Sequence, residues 1–340
     1  MIPICEFNSQ NDQQFSHSIA EFDVVLHVFN ADWHGIRAAS GYAPGLKLAI
    51  SDKTGLDGDA IRHIFGIIVK HKIKKVVFQG YSNTASTLCE AIHRIFGNSV
   101  EIYAVTHVTS AQFDNPFELQ MLALLRSQKA RRVIKRLGSV KPNFIDIVDN
   151  YWPRTILNFA PNIVAQPGQF HKLDSSVFIS IENSWRKNLY TNIIAAQICD
   201  DVKTVYAVNF PTGLEKLTDL DKITMTPYRK GADLLGFMAS MRVLMNASLA
   251  ECQPMTQLEG FAVGTPCLTG KLNIAEFSDD PLTALCEVDI LDNPRNVAIA
   301  LGKLMRLASA ENGEMTGMIA DHLERRKFLA TLSYAEFLSL

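Results

Sequence analysis

A chain of 340 residues is longer than one hydrophobic core usually organises, so two domains are expected. Hydrophobic residues make up 47% and charged residues 20%, the balance of an ordinary globular protein, and a formal net charge of −2 supplies no global attraction for nucleic acid. Six cysteines (Cys5, Cys89, Cys199, Cys252, Cys267, Cys286) show no C-x-x-C spacing and join no histidine cluster, which argues against a disulfide framework or zinc site and for reduced thiols in the cytoplasm.

In chain order, the opening MIPICEFNSQNDQQ has neither the basic segment nor the apolar run of a signal peptide. Short runs rich in Val, Ile and Phe then alternate with amphipathic stretches, the pattern of parallel sheets covered by helices. Strands are expected at 23–29, 46–51, 75–80, 100–106 and 143–148, and helices at 58–72, 84–96 and 114–137. Asp57 or Asp59 stands where it can cap the first helix, so the D-x-D there reads as a cap and not as a metal site. RSQKARRVIKRLGSVK (126–141) carries seven Lys or Arg and no acid. A solvated helix face explains it most simply; the rival is peripheral contact with anionic lipid, where each basic residue contributes about 1 kcal/mol. Residues 1–170 hold 17 basic and 14 acidic side chains (+3) and the remainder 16 and 21 (−5), so the first half is the more basic.

A second series follows the linker around IVAQPGQFHKLD (163–174): strands at 176–181, 203–208 and 242–247, a short one at PCLTG, and helices near 187–199, 231–240 and from 255. Two helices, DNPRNVAIALGKLMRLA and MIADHLERRKFLATLSYAEFLSL, close the chain. The longest apolar stretch, ADLLGFMASMRVLMNASLA, is broken by Arg242 and is no membrane span. The expected boundaries are 1–168, 169–320 and a C-terminal helix at 321–340. The architecture is α/β, two Rossmann-like βα domains facing a central cleft at the carboxyl ends of their strands, where ligands bind in such folds. No G-x-G-x-x-G follows the first strand and no G-x-x-x-x-G-K-[ST] occurs, which removes the main support for dinucleotide and P-loop readings.

The chemistry concentrates in MNASLAECQPMTQLEGFAVGTPCLTG (245–270), where Glu251 and Glu259 stand eight positions apart across Pro254. On a continuous helix that is roughly 12 Å, too far for an acid/base pair sharing one proton. If Pro254 opens a helix, Glu251 lies above its N-terminus, Glu259 projects from its second turn, and between them lie free backbone N–H groups suited to a phosphate. Thr256 is placed to cap that helix, to meet a phosphate oxygen, or both.

A strand ending in a small polar residue, then E-x7-E, then G-T-P and another strand resembles the donor site of retaining GT-B glycosyltransferases, family 4 in particular. The resemblance implies transfer of a sugar from a UDP- or GDP-linked donor to a hydroxyl of a glycan or lipid-linked acceptor, with retention of anomeric configuration, as in cell-surface polysaccharide or glycolipid synthesis. It implies that Glu259 holds the ribose, Glu251 a sugar hydroxyl, and the helix start at 254–257, Met255 and Thr256 included, the diphosphate. It also implies that the last helix crosses back to the first domain and that His107, in AVTHVTSAQF, faces the sugar; a lone histidine after a strand is as often structural. No metal or other cofactor is expected.

Two departures stand out. The family's Arg and, five positions later, Lys correspond to Glu182 and Lys187 in SIENSWRKNLY, leaving Arg186 as the substitute cation and Arg229 and Lys230 as further candidates. The glycine-rich acceptor loop has only NADWHGIRAASGYAPG (30–45), with His34 and Gly35, to represent it. They motivate an alternative, a non-catalytic GT-B-like partner subunit that binds a nucleotide sugar or glycan without turnover; an epimerase of the same fold stands further off.

Overall fold

The computed structural model describes residue 15 and residues 17–163, 172–310 and 313–340; the opening segment, Cys5, most of the linker and the expected 168/169 boundary lie outside them. The chain divides into two compact units, Met1–Asn162 with Phe328–Leu340, and Ile163–Lys327.

The first unit holds a five-stranded sheet in the order β2-β1-β3-β4-β5, all parallel: β1 Val25–Asn30, β2 Leu46–Ile50, β3 Lys75–Gln79, β4 Glu101–Thr106, β5 Arg136–Ser139. Side chains alternate across it. Leu26, Val28, Leu48, Val76, Phe78 and Ile102 form one core with Ile64, Ile68, Leu88, Ile92 and Leu125 from the helices Gly58–Lys70, Asn83–Phe96 and Pro116–Ala130. Asp57 caps the first of these helices, its carboxylate accepting from the Ala60 N–H at 2.8 Å. On the opposite face His27, Lys47, Gln79 and Tyr103 are all buried. The last turns of the helix Glu314–Leu338 cover part of that face: Tyr103 donates to the Leu338 carbonyl at 2.9 Å, and Arg136 donates to the carbonyls of Glu336 and Phe337 at 2.9 and 2.8 Å. The final carbonyls of a helix have no intrahelical donor, so the guanidinium acts as its C-terminal cap.

Two expectations fail here. The stretch 143–148 is no strand: Asn143 lies in the left-handed region at φ 56° and opens a single 3-10 turn, Phe144–Asp146. The fifth strand is Arg136–Ser139, overlapping the end of the segment expected to be one helix to 137; that helix stops at Ala130, and Arg132 turns the chain at φ 62°. The seven basic residues therefore share no helix face. Arg131 pairs with Glu90, Lys135 with Glu101, and Arg136 caps the last helix over the Trp152 ring, an arrangement that lends no support to a lipid-facing patch. Among the described residues no helix is long and apolar enough to cross a membrane.

The second unit holds a six-stranded parallel sheet in the order β11-β10-β9-β6-β7-β8. Its strands are β6 Ser176–Ile179, β7 Thr204–Ala207, β8 Ile223–Met225, β9 Val243–Asn246, β10 Cys267–Gly270 and β11 Glu287–Val288. The chain begins at the centre with β6, runs outward through β7 and β8, then returns to β9 beside β6 and runs outward the other way. The order reverses between β6 and β9, which makes their carboxyl ends a topological switch point. The edge strands β8 and β11 and the helix Pro281–Cys286 were not anticipated from sequence, being only three, two and six residues long.

The helix Met255–Ala262 lies close on β9 because Gly260 has no side chain: an added Cβ would stand 2.5 Å from Leu244 Cδ1 and 2.8 Å from the Thr265 carbonyl. Gly260→Ala should thus lower stability by about 1–3 kcal/mol, although alanine is the better helix former by about 1 kcal/mol. Urea unfolding measures this, and an unchanged or raised midpoint would show that the helix is not seated so closely.

Candidate functional site

The two loops that leave β6 and β9 are tied together by side-chain amides. Asn192, fully buried on the helix Leu189–Ile198, accepts from the Ala247 N–H at 3.0 Å and donates to the Ala247 carbonyl at 3.1 Å. Asn188, in the left-handed region at φ 57°, donates to the same carbonyl at 3.3 Å and to that of Leu291 at 2.7 Å. Leu249 N–H donates to the Arg186 carbonyl at 2.8 Å. Once the backbones are joined in this way, the side chains of 186 and 187 meet Glu251. The Lys187 ammonium donates to the Glu251 carboxylate, and Arg186 stands 3.9 Å from the same oxygen and 3.3 Å from Glu182. Lys187 and Glu251 keep only 17% and 12% of their side-chain surface exposed, so the pair is sheltered from solvent screening. With Glu182 the cluster has two cations and two anions.

Beside it the helix Met255–Ala262 begins. Pro254 occupies the N-cap position, its backbone extended, and no side chain caps the first turn. Thr256 therefore lies inside the helix and is not its cap. The first N–H groups of a helix lack intrahelical acceptors and carry its positive end. Met255 and Glu259 are buried and Thr256 is partly exposed. Arg229 and Lys230 are engaged elsewhere, Arg229 with Asp233 at 3.0 Å and over the Phe237 ring, Lys230 over Tyr228.

Sequence reasoning missed the residues that brace this loop. Arg326, 2% exposed, donates to Gln253 Oε1 and lies 5.2 Å over the Phe277 ring; burial pulls its pKa down to about 10. His322, one turn earlier on the same helix, holds Asp280 at 2.9 Å and packs edge-on against Phe261 of the Met255–Ala262 helix. Nothing in the sequence signals these long-range partners. Asn192 was legible in principle, as an amide flanked by apolar residues within LYTNIIAAQI.

In the first unit His107 follows β4, partly exposed, and donates from Nε2 to Gln79 Oε1 at 2.9 Å. The protein around it holds its pKa down at about 4 through desolvation alone. The stretch expected to form an acceptor loop is largely a helix, His34–Tyr42, with Trp33 at its N-cap position. His34 and Gly35 are exposed in its first turn. Among the described residues no group of three or more His, Cys, Asp or Glu could hold a metal ion.

No protein-family model matches the chain, and no curated protein sequence matches it. Solved structures do resemble it. A glycosyltransferase from Rickettsia africae aligns at TM-score 0.53 and 13% identity over 92% of this chain and 98% of that one. An α,α-trehalose-phosphate synthase (UDP-forming) from Burkholderia xenovorans, in complex with glucose-6-phosphate, aligns at 0.55 and 10% over 93% and 99%. A protein assigned as a UDP-N-acetylglucosamine 2-epimerase from Listeria monocytogenes aligns at 0.53 and 13% over 93% and 97%. At these identities the likeness establishes the fold. The chain has the GT-B fold, two Rossmann-like α/β domains with parallel sheets.

Two outcomes follow from this geometry. Asn192→Leu leaves the buried Ala247 N–H without its partner, so stability should fall by about 1–3 kcal/mol in urea unfolding, and a neutral result would remove the clamp. His27 and His107 have folded pKa values lowered from 6.5 to about 3 and about 4, so the unfolded chain binds more protons below pH 6.5. Their contribution is complete above about 6.5 and drains away as pH falls toward 4. Unfolding free energies at pH 7.5 and 4.5 should differ less in His107→Gln than in the wild type; an equal difference would mean that His107 is not held neutral.

Proposed function

We propose that the protein is a glycosyltransferase that takes a sugar from a nucleoside diphosphate sugar and passes it to a hydroxyl acceptor, with retention at the anomeric carbon. The observation that carries this reading is the meeting, at the switch point of the second unit, of an uncapped helix start with Lys187, Arg186 and Glu251. A diphosphate fits that combination, because helix N–H groups and cations both favour an anion and form charge-assisted hydrogen bonds. The Glu251-x7-Glu259 spacing supports a family 4-like donor site in which Glu259 accepts from the ribose diol and Glu251 from a sugar hydroxyl. The fold is shared with a UDP-forming synthase and a glycosyltransferase, which favours a UDP-sugar as donor. His107, in the first unit, is a further candidate for holding a hydroxyl. No side chain is assigned as a nucleophile; the acceptor hydroxyl attacks on the face that the leaving diphosphate vacates, while fixed dipoles and cations stabilise the phosphate charge. The donor is a co-substrate, and no resident cofactor or metal is proposed. The acceptor hydroxyl belongs to a glycan or a lipid-linked acceptor.

Sugar-nucleotide chemistry without transfer is the second reading, favoured by the fold shared with the epimerase-assigned protein and by Glu182 at the place of the family arginine. Product analysis with UDP-sugars separates the two, since an epimerase converts the donor with no acceptor present.

Glu259→Ala should weaken UDP binding about tenfold or more, the loss of a charge-assisted contact worth roughly 1.5–3 kcal/mol. Calorimetry with unchanged affinity would withdraw the ribose role. Lys187→Ala should abolish transfer and Arg186→Ala should reduce it less, because Lys187 hydrogen-bonds Glu251 while Arg186 stands 3.9 Å from it and is shared with Glu182. Full activity in Lys187→Ala would place the donor phosphates elsewhere.

A further inference from the structure

In the first unit a line of hydrogen bonds runs from a backbone carbonyl to His107, and the direction of each follows from the one before. The Pro44 carbonyl can only accept, so His27 Nε2, 2.9 Å away, carries a proton. His27 is completely buried in β1, where desolvation and the neighbouring Lys47 ammonium both oppose a second proton. A neutral imidazole protonated on Nε2 offers Nδ1 as an acceptor. Gln79 must then turn its amide nitrogen to His27 Nδ1, at 3.0 Å, and the same nitrogen reaches the Tyr334 hydroxyl at 3.1 Å. Its oxygen is thereby left for His107 Nε2, which must be the protonated nitrogen of that ring. Gln79 is 1% exposed and His27 fully buried, so a flipped amide would oppose acceptor to acceptor at His27 Nδ1, out of reach of solvent.

We propose that Gln79 and His27 are positioning residues that fix His107 in the Nε2–H tautomer, so that its Nδ1 lone pair accepts a hydrogen bond from a ligand hydroxyl. The chemical class follows from the lone pair. A phosphate oxygen or a carbonyl has no proton to give it, whereas a sugar or acceptor alcohol does. Which hydroxyl is held rests on the transferase reading; the tautomer does not.

Long-range proton–nitrogen correlation spectra of the ¹⁵N-labelled full chain test this, with His107→Gln identifying the His107 resonances. The expected result is a protonated Nε2 and a bare Nδ1 in the wild type. In Gln79→Leu the preference should be lost to a mixture of tautomers, and kcat should fall about tenfold while the donor KM holds, as for one hydrogen bond lost from the transition state. A wild-type His107 protonated on Nδ1 would overturn the proposal, and so would a folded Gln79→Leu that keeps the wild-type tautomer. If that variant does not fold, the wild-type spectrum alone decides. The expected tautomer in a chain that transfers from no nucleotide sugar would support the relay and sink the transferase reading instead.

Discussion

The two hydrogen bonds between the Asn192 amide and the backbone N–H and C=O of Ala247 hold the second unit's candidate site in place. Parallel strands leave their carboxyl ends as bare loops, and nothing in strand pairing alone decides how the loops after β6 and β9 meet. A buried amide that uses both its donor and its acceptor on one residue's backbone does decide it, because any other arrangement leaves buried polar groups unpaired. Asn188 doubles the tie, and Arg186 and Lys187 then have one place to go. The site's electrostatics follow from a backbone contact several residues away from any charge.

The charges so assembled are balanced. Lys187 and Arg186 face Glu251, and Glu182 takes a share of Arg186. A site of this kind has no stored excess of positive charge; the standing positive field comes from the uncapped start of the helix Met255–Ala262. On the proposed reading an incoming diphosphate exchanges partners with Glu251, which frees that carboxylate to meet the sugar. On the same reading Glu182 anchors Arg186, the cation next to Lys187. In the first unit the same rule works on neutral groups: a polar layer of His27, Gln79 and Tyr103 is tolerated beneath the last helix because each member finds partners there.

How much of this was legible follows the range of the interactions. Alternating apolar residues announced β1 to β4, β6, β7, β9 and β10, and Pro254 announced the helix that follows it. The fifth strand hid within RSQKARRVIKRLGSVK because its flanking charges suggested an exposed helix, whereas Lys135 and Arg136 are satisfied by Glu101 and by the end of the last helix. In the acceptor stretch, glycines suggested a loop, but Ala38, Ala39 and Ser40 sustain a helix. The charged residues of the candidate site could be picked out by type and spacing. Their supports could not: Gln79 joins residues 27, 107 and 334, and Arg326 reaches back to Gln253. Such contacts are set by topology, which local sequence does not carry.

The central claim, that the switch point of the second unit receives a nucleoside diphosphate sugar, is tested most directly by hydrogen exchange of the wild-type chain with and without saturating UDP-sugar or UDP. Ligand amide contacts and loop ordering slow exchange locally. Protection is expected at 182–188 and at 251–257, the two loops that Asn188 and Asn192 join. Binding with protection elsewhere and none at these segments would contradict it.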